Sequence, residues 1–119
     1  MDVEEIQLFD FNESMKERGE NLLSKYDCFL ESKSNHYTEL YSPNTSKGNA
    51  LSALANHLGI SQEEIACIGD AENDISMFQA SGLKFAMGNA IPELKELADV
   101  VVPSNDEDGV AFAIKSHLL

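Results

Sequence analysis

The sequence has few basic residues, no tryptophan, and only two cysteines and three prolines. Its 8 Lys and Arg residues stand against 21 Asp and Glu, which gives a net charge of −13. A chain without a basic patch cannot neutralise the phosphates of a duplex, so the composition argues against binding to nucleic acid. No hydrophobic run approaches the roughly 18 residues that a membrane-spanning helix needs, and no membrane role is expected.

The cysteines indicate a reducing compartment. Cys28 and Cys67 each lie in an apolar, strand-like run, and the first residues, MDVEEIQ, lack the apolar core of a secretory signal. Two cysteines without such a signal are typical of buried free thiols in the cytosol. We therefore expect a cytoplasmic protein.

The first 41 residues predict a β-α-β-β unit. Their apolar runs and turn residues indicate strands over Val3–Phe11, Asp27–Ser32 and His36–Tyr41, and a helix from Asn12 or Ser14 to about Lys25. The next few residues include Pro43 and are typical of a linker.

From Ser46 onward, apolar strands alternate with helices. The first helix is capped by Ser46, ends at Gly59, and has one apolar face of Leu51, Leu54, Ala55 and Leu58. Strands are predicted over Ile65–Ile68, Lys84–Met87 and Val100–Val102, each followed by a helix. This alternation predicts an α/β fold with a parallel sheet covered on both faces.

The densest group of polar side chains follows the strand Ile65–Ile68. Gly69 lets the chain turn at the strand end, and Asp70, Glu72, Asn73 and Asp74 come next. The carboxyl ends of strands are where open α/β sheets bind ligands, and carboxylate oxygens suit Mg²⁺. The alternative is an acidic loop in which Asp70 or Asn73 caps the following helix.

Lys47 is a second candidate. A cation in the first turn of a helix opposes the helix dipole, which indicates that Lys47 faces an anion; a solvated surface lysine is the alternative. Asn89 follows Gly88 at another strand end and is typical of a plain turn, while Asn105 is typical of a helix cap.

Four segments in this order resemble the haloacid dehalogenase (HAD) superfamily of phosphatases, in its Cof-type branch with a large α/β cap. They are SKGNAL (46–51), GDAEND (69–74), AMGNA (86–90) and SNDEDGV (104–110). The resemblance covers residues 46–119, which look like the C-terminal half of the Rossmann-like HAD core.

The resemblance implies a Mg²⁺-dependent phosphate monoester hydrolase that acts on a small sugar- or nucleotide-phosphate metabolite. In that family one Asp attacks the phosphorus and a second Asp, two residues later, is the acid and base. Carried over by motif, Lys47 would be catalytic and would bind phosphate together with Asn73. Asp70 would bind the metal, and Asp74 would support the metal shell.

The N-terminal part departs from the family pattern. Only LFDFNES (8–14) resembles the nucleophile motif, with Asp10 in the nucleophile position but Asn12, which cannot shuttle a proton, in the acid/base position. We therefore interpret residues 1–41 as the end of a cap domain and residues 42–119 as the C-terminal part of the core. A capless member with Asp10 as nucleophile is the alternative.

This interpretation predicts that the chain by itself is inactive and that the strand Ile65–Ile68 has an unpaired edge. Such an edge favours self-association or marginal stability. A non-catalytic module that binds metal, phosphate or a partner, and a purely structural fragment, are the other functions consistent with the sequence.

Overall fold

The structure is a computed structural model that describes residues 5–9, 25, 29–32, 37–41 and 45–119. The chain divides into two compact units, Met1–Thr45 and Ser46–Leu119. None of the helices among these residues has the length and apolar character to cross a bilayer.

The first unit contains a three-stranded antiparallel sheet. Its strands are β1 (Glu5–Phe9), β2 (Phe29–Ser32) and β3 (Tyr37–Tyr41), in the order β1-β3-β2. Tyr41 of β3 lies opposite Glu5 on one side and Phe29 on the other. The three predicted strands are confirmed, whereas the predicted helix lies outside the described residues except for Lys25, which is in a turn.

The second unit alternates helices and strands. In chain order its elements are α1 (Lys47–Leu58), β4 (Ala66–Gly69), α2 (Ile75–Gln79), β5 (Leu83–Ala86), α3 (Pro92–Leu97), β6 (Val100–Val101) and α4 (Gly109–Ala113). Short 3-10 turns precede α2 and α4, and a π-helical turn (Ile114–Leu118) follows α4. The predicted final helix therefore changes its winding part-way along.

The three strands of this unit form a parallel sheet with β5 in the centre. Ile68 of β4 pairs with Phe85 of β5, and Phe85 pairs with Val100 of β6. Because the pairing is parallel, the carboxyl ends of β4 and β5 meet at one edge of the sheet. The predicted α/β fold with a parallel sheet is confirmed, and its shape places the acidic loop after β4 beside the turn after β5.

The core forms around the central strand. Phe78, Phe85 and Leu94 are almost completely buried and come from α2, β5 and α3, so helices and sheet share one core. Burying side chains of this size contributes about 1.5–3 kcal/mol each. Cys67 is a buried free thiol, as predicted, and its burial raises its pKa; Cys28 lies outside the described residues.

Helix α1 begins and ends where the sequence predicts. The Ser46 hydroxyl accepts from the Asn49 N–H at 3.0 Å, and Gly59 closes the helix in the left-handed conformation at φ 70°. Its apolar face, however, is only partly buried: Ala55 is packed, whereas Leu54 and Leu58 are 55% and 59% exposed. The spacing of the apolar residues correctly predicted a helix with these residues on one face, but it could not predict how much of that face is buried.

Strand β4 lies at the edge of the sheet. It pairs with β5, and the described residues provide no strand on its other side. Ile65 and Gly69 accept hydrogen bonds from Leu83 and Met87 on the β5 side. The alternation of a parallel ladder therefore directs the backbone groups of Ala66 and Ile68 toward the unpaired side.

Candidate active site

The acidic loop after β4 meets the first residue of α1. Lys47 Nζ donates to Asp74 Oδ1 in a short, charge-assisted hydrogen bond and to Asn73 Oδ1 at 3.2 Å. The lysine side chain is about half exposed (48%), whereas that of Asp74 is only 5% exposed. Lys47 thus faces an anion, as its position in the first turn predicts.

Asp74 is the buried centre of this cluster. Its Oδ2 accepts from the backbone N–H groups of Asp70 at 2.9 Å and Ala71 at 3.1 Å, while its Oδ1 accepts from Lys47. Burial alone would raise its pKa, but the hydrogen bonds from Lys47, Asp70 and Ala71 and the charge of Lys47 outweigh burial, so the pKa of Asp74 lies below its ordinary value. The carboxylate is ionised and rigidly held.

Gly69 allows this arrangement by close approach. A Cβ at this position would lie 2.6 Å from the Asp74 Cβ and 2.8 Å from its Oδ2. Among the described glycines only Gly59 has a positive φ, so Gly69 does not serve a left-handed turn. The sequence correctly singled out the glycine, but its role is to admit the Asp74 carboxylate against the end of β4.

The capping interpretation of this loop does not hold for the residues it named. The hydrogen bonds of the described chain give neither Asp70 nor Asn73 a capping role; Asp74 accepts from Ala71 at the start of the 3-10 turn instead. Because the ammonium of Lys47 can only donate, the Asn73 atom that faces it is Oδ1. The Asn73 amide N–H₂ is consequently directed elsewhere and can donate to a ligand.

Asn89 and Asn105 join the site from the neighbouring turns. Asn89 Nδ2 lies 3.4 Å from Asp70 Oδ2, and the Asn105 backbone N–H donates to Asn89 Oδ1 at 3.0 Å. Sequence reasoning assigned Asn89 to a plain turn and Asn105 to a helix cap. The available signal was their placement after β5 and β6, whose ends lie at the same sheet edge as Asp70.

The acidic loop, the start of α1 and the turns after β5 and β6 border an open cavity of about 490 Å³. Lys47, Asp70, Asp74, Asn89 and Asn105 form its polar part, and its apolar part is formed by Ile68, Met77, Met87 and Val110. A cavity with one ammonium, two carboxylates and two amides is suited to a small anionic ligand together with a cation.

The side chains at the cavity fit an open Mg²⁺ site, in which the protein supplies only some of the ligands. Within the described ranges, no three His, Cys, Asp or Glu side chains come together as a ready-made metal cage. Mg²⁺ is commonly held by one or two carboxylates, with waters and a ligand phosphate completing its six oxygens. Asp70 is exposed at the cavity and provides such a carboxylate.

Comparison with known proteins agrees with this geometry. The haloacid dehalogenase-like hydrolase family matches the chain over residues 1–114. The chain belongs to this family. HAD-like relatives include the phosphatase YwpJ of Bacillus subtilis, which is 50% identical over 93 residues covering 78% of this chain and 32% of YwpJ. The 5-amino-6-(5-phospho-D-ribitylamino)uracil phosphatase YwtE of the same species is 40% identical over 92% of this chain and 39% of its own length.

Solved HAD-like structures share the fold over nearly the whole chain. A haloacid dehalogenase-like hydrolase from B. subtilis has a TM-score of 0.78 and 44% identity, covering 98% of this chain and 41% of that protein. The chain thus spans about a third to two fifths of the length of these relatives, at 32%, 39% and 41%. Its membership of the HAD family is shown, and the predicted family resemblance is confirmed.

Proposed function

We propose that this chain is part of a Mg²⁺-dependent phosphate monoester hydrolase that acts on a small phosphorylated metabolite in the cytoplasm. It contributes the catalytic lysine and the metal-binding carboxylates. The observation that carries the proposal is the convergence of Lys47, Asp70 and Asp74 on one cavity at the end of β4, with Asn73 held beside it by a hydrogen bond from Lys47. Two HAD relatives named as phosphatases, YwpJ and YwtE, support it, and the name of YwtE specifies a phosphorylated metabolite.

In this proposal Lys47 is the catalytic cation. It is fixed by Asp74 yet remains half exposed, so its third N–H group can donate to a phosphoryl oxygen. The Asn73 amide, oriented by Lys47, would donate to the same phosphate. Phosphoryl transfer is accelerated chiefly by positioning and by neutralising charge, and these two side chains provide both.

Asp70 and Asp74 take different parts at the metal. Asp70 would bind Mg²⁺ directly, and the ion, when bound, would neutralise charge on the phosphoryl oxygens. Both oxygens of Asp74 already accept hydrogen bonds, so Asp74 would support the metal shell through a water and through the backbone of Asp70. This assignment keeps both residues at the metal with only Asp70 in direct contact.

The two parts of the chain have different roles. We assign residues 1–41 to the end of a cap domain and residues 42–119 to the C-terminal part of the core. The attacking carboxylate is the part that residues 46–119 do not supply. Asp10, with Asn12 two residues later, is the candidate within the chain and lies outside the described residues.

A binding experiment tests the site directly. We expect inorganic phosphate, in the presence of Mg²⁺, to shift the amide NMR signals of residues 69–74 of the 119-residue chain. Lys47→Met should weaken phosphate binding by about tenfold to a hundredfold, because a hydrogen bond to a charged group contributes roughly 1.5–3 kcal/mol. Lys115→Met, at an exposed position in the last turn of the chain, is the matched control.

Turnover is measured on the same protein. We expect no Mg²⁺-dependent hydrolysis of p-nitrophenyl phosphate, while Asp70→Ala should abolish the Mg²⁺-dependent part of the NMR response. Hydrolysis that Asp70→Ala removes would identify a nucleophile within the chain and point to Asp10. Phosphate binding that is unaffected by Lys47→Met would contradict the proposed site.

A non-catalytic module that binds metal or phosphate is the second candidate. The observation that favours it is Asn12, which stands two residues after Asp10 and cannot act as acid and base. The same titrations separate it from an inert fragment, because the module binds phosphate and Mg²⁺ without turnover and the fragment binds neither.

The open edge of β4 leads to a prediction about association. We expect the chain to sediment as a mixture of monomers and oligomers in which the oligomer fraction rises with protein concentration. An unpaired strand edge and exposed apolar side chains such as Leu54 and Leu58 favour self-association. Ala66→Lys places a charge on the exposed edge and should reduce association, whereas Ala53→Lys on α1 should not. A stable monomer of high melting temperature would show the prediction to be wrong.

A further inference from the structure

The main chain of Asp70 is held from two sides. Its N–H donates to Asp74 Oδ2 at 2.9 Å, and its carbonyl accepts from the Ile91 N–H at 3.0 Å. Its side chain, in contrast, is exposed to the cavity. The rotamer of the carboxylate is therefore set by contacts of the side chain itself, and the described contact is the one from Asn89 Nδ2 to Oδ2 at 3.4 Å.

The orientation of the Asn89 amide is fixed by its other neighbour. The Asn105 backbone N–H lies 3.0 Å from Asn89 Oδ1. A backbone N–H can only donate, so the atom that faces it must be the amide oxygen, and the amide nitrogen is turned toward Asp70. Asn89 thus links the end of β4 to the loop after β6.

The turn that carries Asn89 is held by hydrogen bonds to its backbone. Lys95 of α3 donates from Nζ to the Gly88 carbonyl at 2.6 Å, and the Ala90 N–H donates to the Met87 carbonyl at 2.8 Å. Lys95 is half-buried, so this charge-assisted hydrogen bond is partly shielded from water. A side chain on a turn held in this way can act as a fixed support.

We propose that Asn89 is a positioning residue that holds Asp70 Oδ2 through its Nδ2 and leaves Asp70 Oδ1 to face a divalent cation. An amide is suited to this task because it donates a hydrogen bond without carrying a positive charge that would repel the ion. Partners that orient a metal ligand commonly change metal affinity 10–100-fold when they are removed. The inference rests on the proposed role of Asp70 and extends it to a residue on another strand end.

The rotamer of Asp70 can be measured without a metal. In the wild-type chain we expect the Hα–Hβ three-bond couplings of a single staggered rotamer at Asp70, which are one large and one small value or two small values, and not two intermediate values. Asn89→Ala removes both hydrogen bonds and should give two intermediate couplings. Asn89→Asp retains an oxygen for the Asn105 N–H but loses the donor, so it should also change the Asp70 couplings.

The control variants separate this role from general effects on the fold. Asn56→Ala and Asn56→Asp make the same substitutions at an exposed position of α1, nine residues beyond Lys47 in sequence, and should leave the Asp70 couplings unchanged. Wild-type couplings in Asn89→Asp would overturn the proposal, because they would show that the turn alone sets the rotamer.

A cation titration completes the test. Mn²⁺, followed by the paramagnetic broadening of the Gly69 and Asp70 amide signals, should bind about tenfold more weakly to Asn89→Ala than to wild type or Asn56→Ala. Equal affinity would overturn the proposal. A wild-type chain that binds no Mn²⁺ would instead refute the proposed metal site at Asp70, and the couplings would still decide whether Asn89 orients the carboxylate.

Discussion

Replacing Asp74 with asparagine is expected to lower the free energy of unfolding by about 3 kcal/mol. Oδ2 of Asp74 accepts from two backbone N–H groups and Oδ1 accepts from Lys47, so both oxygens face donors. Asparagine has only one oxygen, and in either orientation its N–H₂ would meet a donor. The side chain is 5% exposed, so water cannot relieve this mismatch. Urea denaturation of the two proteins measures the difference.

Asp99 provides a matched control for this substitution. It also pairs with a lysine, but its Oδ2 accepts both the Lys84 backbone N–H at 2.8 Å and Lys84 Nζ at 3.3 Å. One amide oxygen can replace that single acceptor, and the Asp99 side chain is 45% exposed. Asp99→Asn should therefore cost less than about 1 kcal/mol. Equal losses in the two variants would contradict our account of Asp74.

Asp74→Asn should also change how the free energy of unfolding depends on pH. The pKa of Asp74 is lower in the folded protein than its ordinary value of 3.8. Its contribution to stability is complete above the unfolded pKa and is lost as the pH falls through the folded pKa. Below about pH 3.8, the unfolding free energy of the wild type should fall more steeply than that of Asp74→Asn. Parallel curves would show that Asp74 is not the titrating group.

Gly48→Ala is expected to destabilise the protein by about 1–3 kcal/mol, because α1 and α2 approach closely at this glycine. A Cβ there would lie 2.6 Å from the Ser76 carbonyl carbon and closer still to its oxygen, and neither backbone atom can move independently. The Gly48 N–H also donates to Ser76 Oγ at 3.1 Å. Chemical denaturation tests the loss, and displaced amide NMR signals of Lys47 would report that the helix start has moved.

The sign of this effect distinguishes packing from helix propensity. In a helix that is free of contacts, Gly→Ala is stabilising by roughly 0.5–1 kcal/mol. Gly59→Ala is the control, because a Cβ at that position meets nothing within 4 Å and the cost comes only from the φ of 70°. A stabilised Gly48→Ala protein would mean that the two helices are not in close contact.

Much of the fold could be predicted because its signals are local. Ser46 and Gly59 mark the ends of α1, as the structure shows. Each of these residues acts on the backbone within one turn, and neighbouring sequence suffices to recognise it. The exposure of Leu54 and Leu58 could not be predicted in the same way, because periodicity identifies a face but not what covers it.

The site could be predicted only in part. Lys47, Asp70, Asn73 and Asp74 were found because they are charged or amide residues at a helix start and a strand end. Asn89 and the Asn105 backbone N–H were missed as members of the site, because their contact joins residues 16 positions apart through a main-chain donor. A backbone N–H is present whatever the residue type, so the sequence does not reveal which one donates. Asparagine is also common in turns and helix caps, which accounts for both residues without a site.

The ion pair between Lys47 and Asp74 forms when the protein folds, before any ligand arrives. A free lysine side chain has up to about 2 kcal/mol of conformational entropy, and an anion that binds to it must restrict that freedom. In this protein part of the restriction has already occurred in the folded chain. Lys47, for which we propose an anionic ligand, is therefore held in place in a way that the exposed Lys115 is not, although the two side chains carry the same charge.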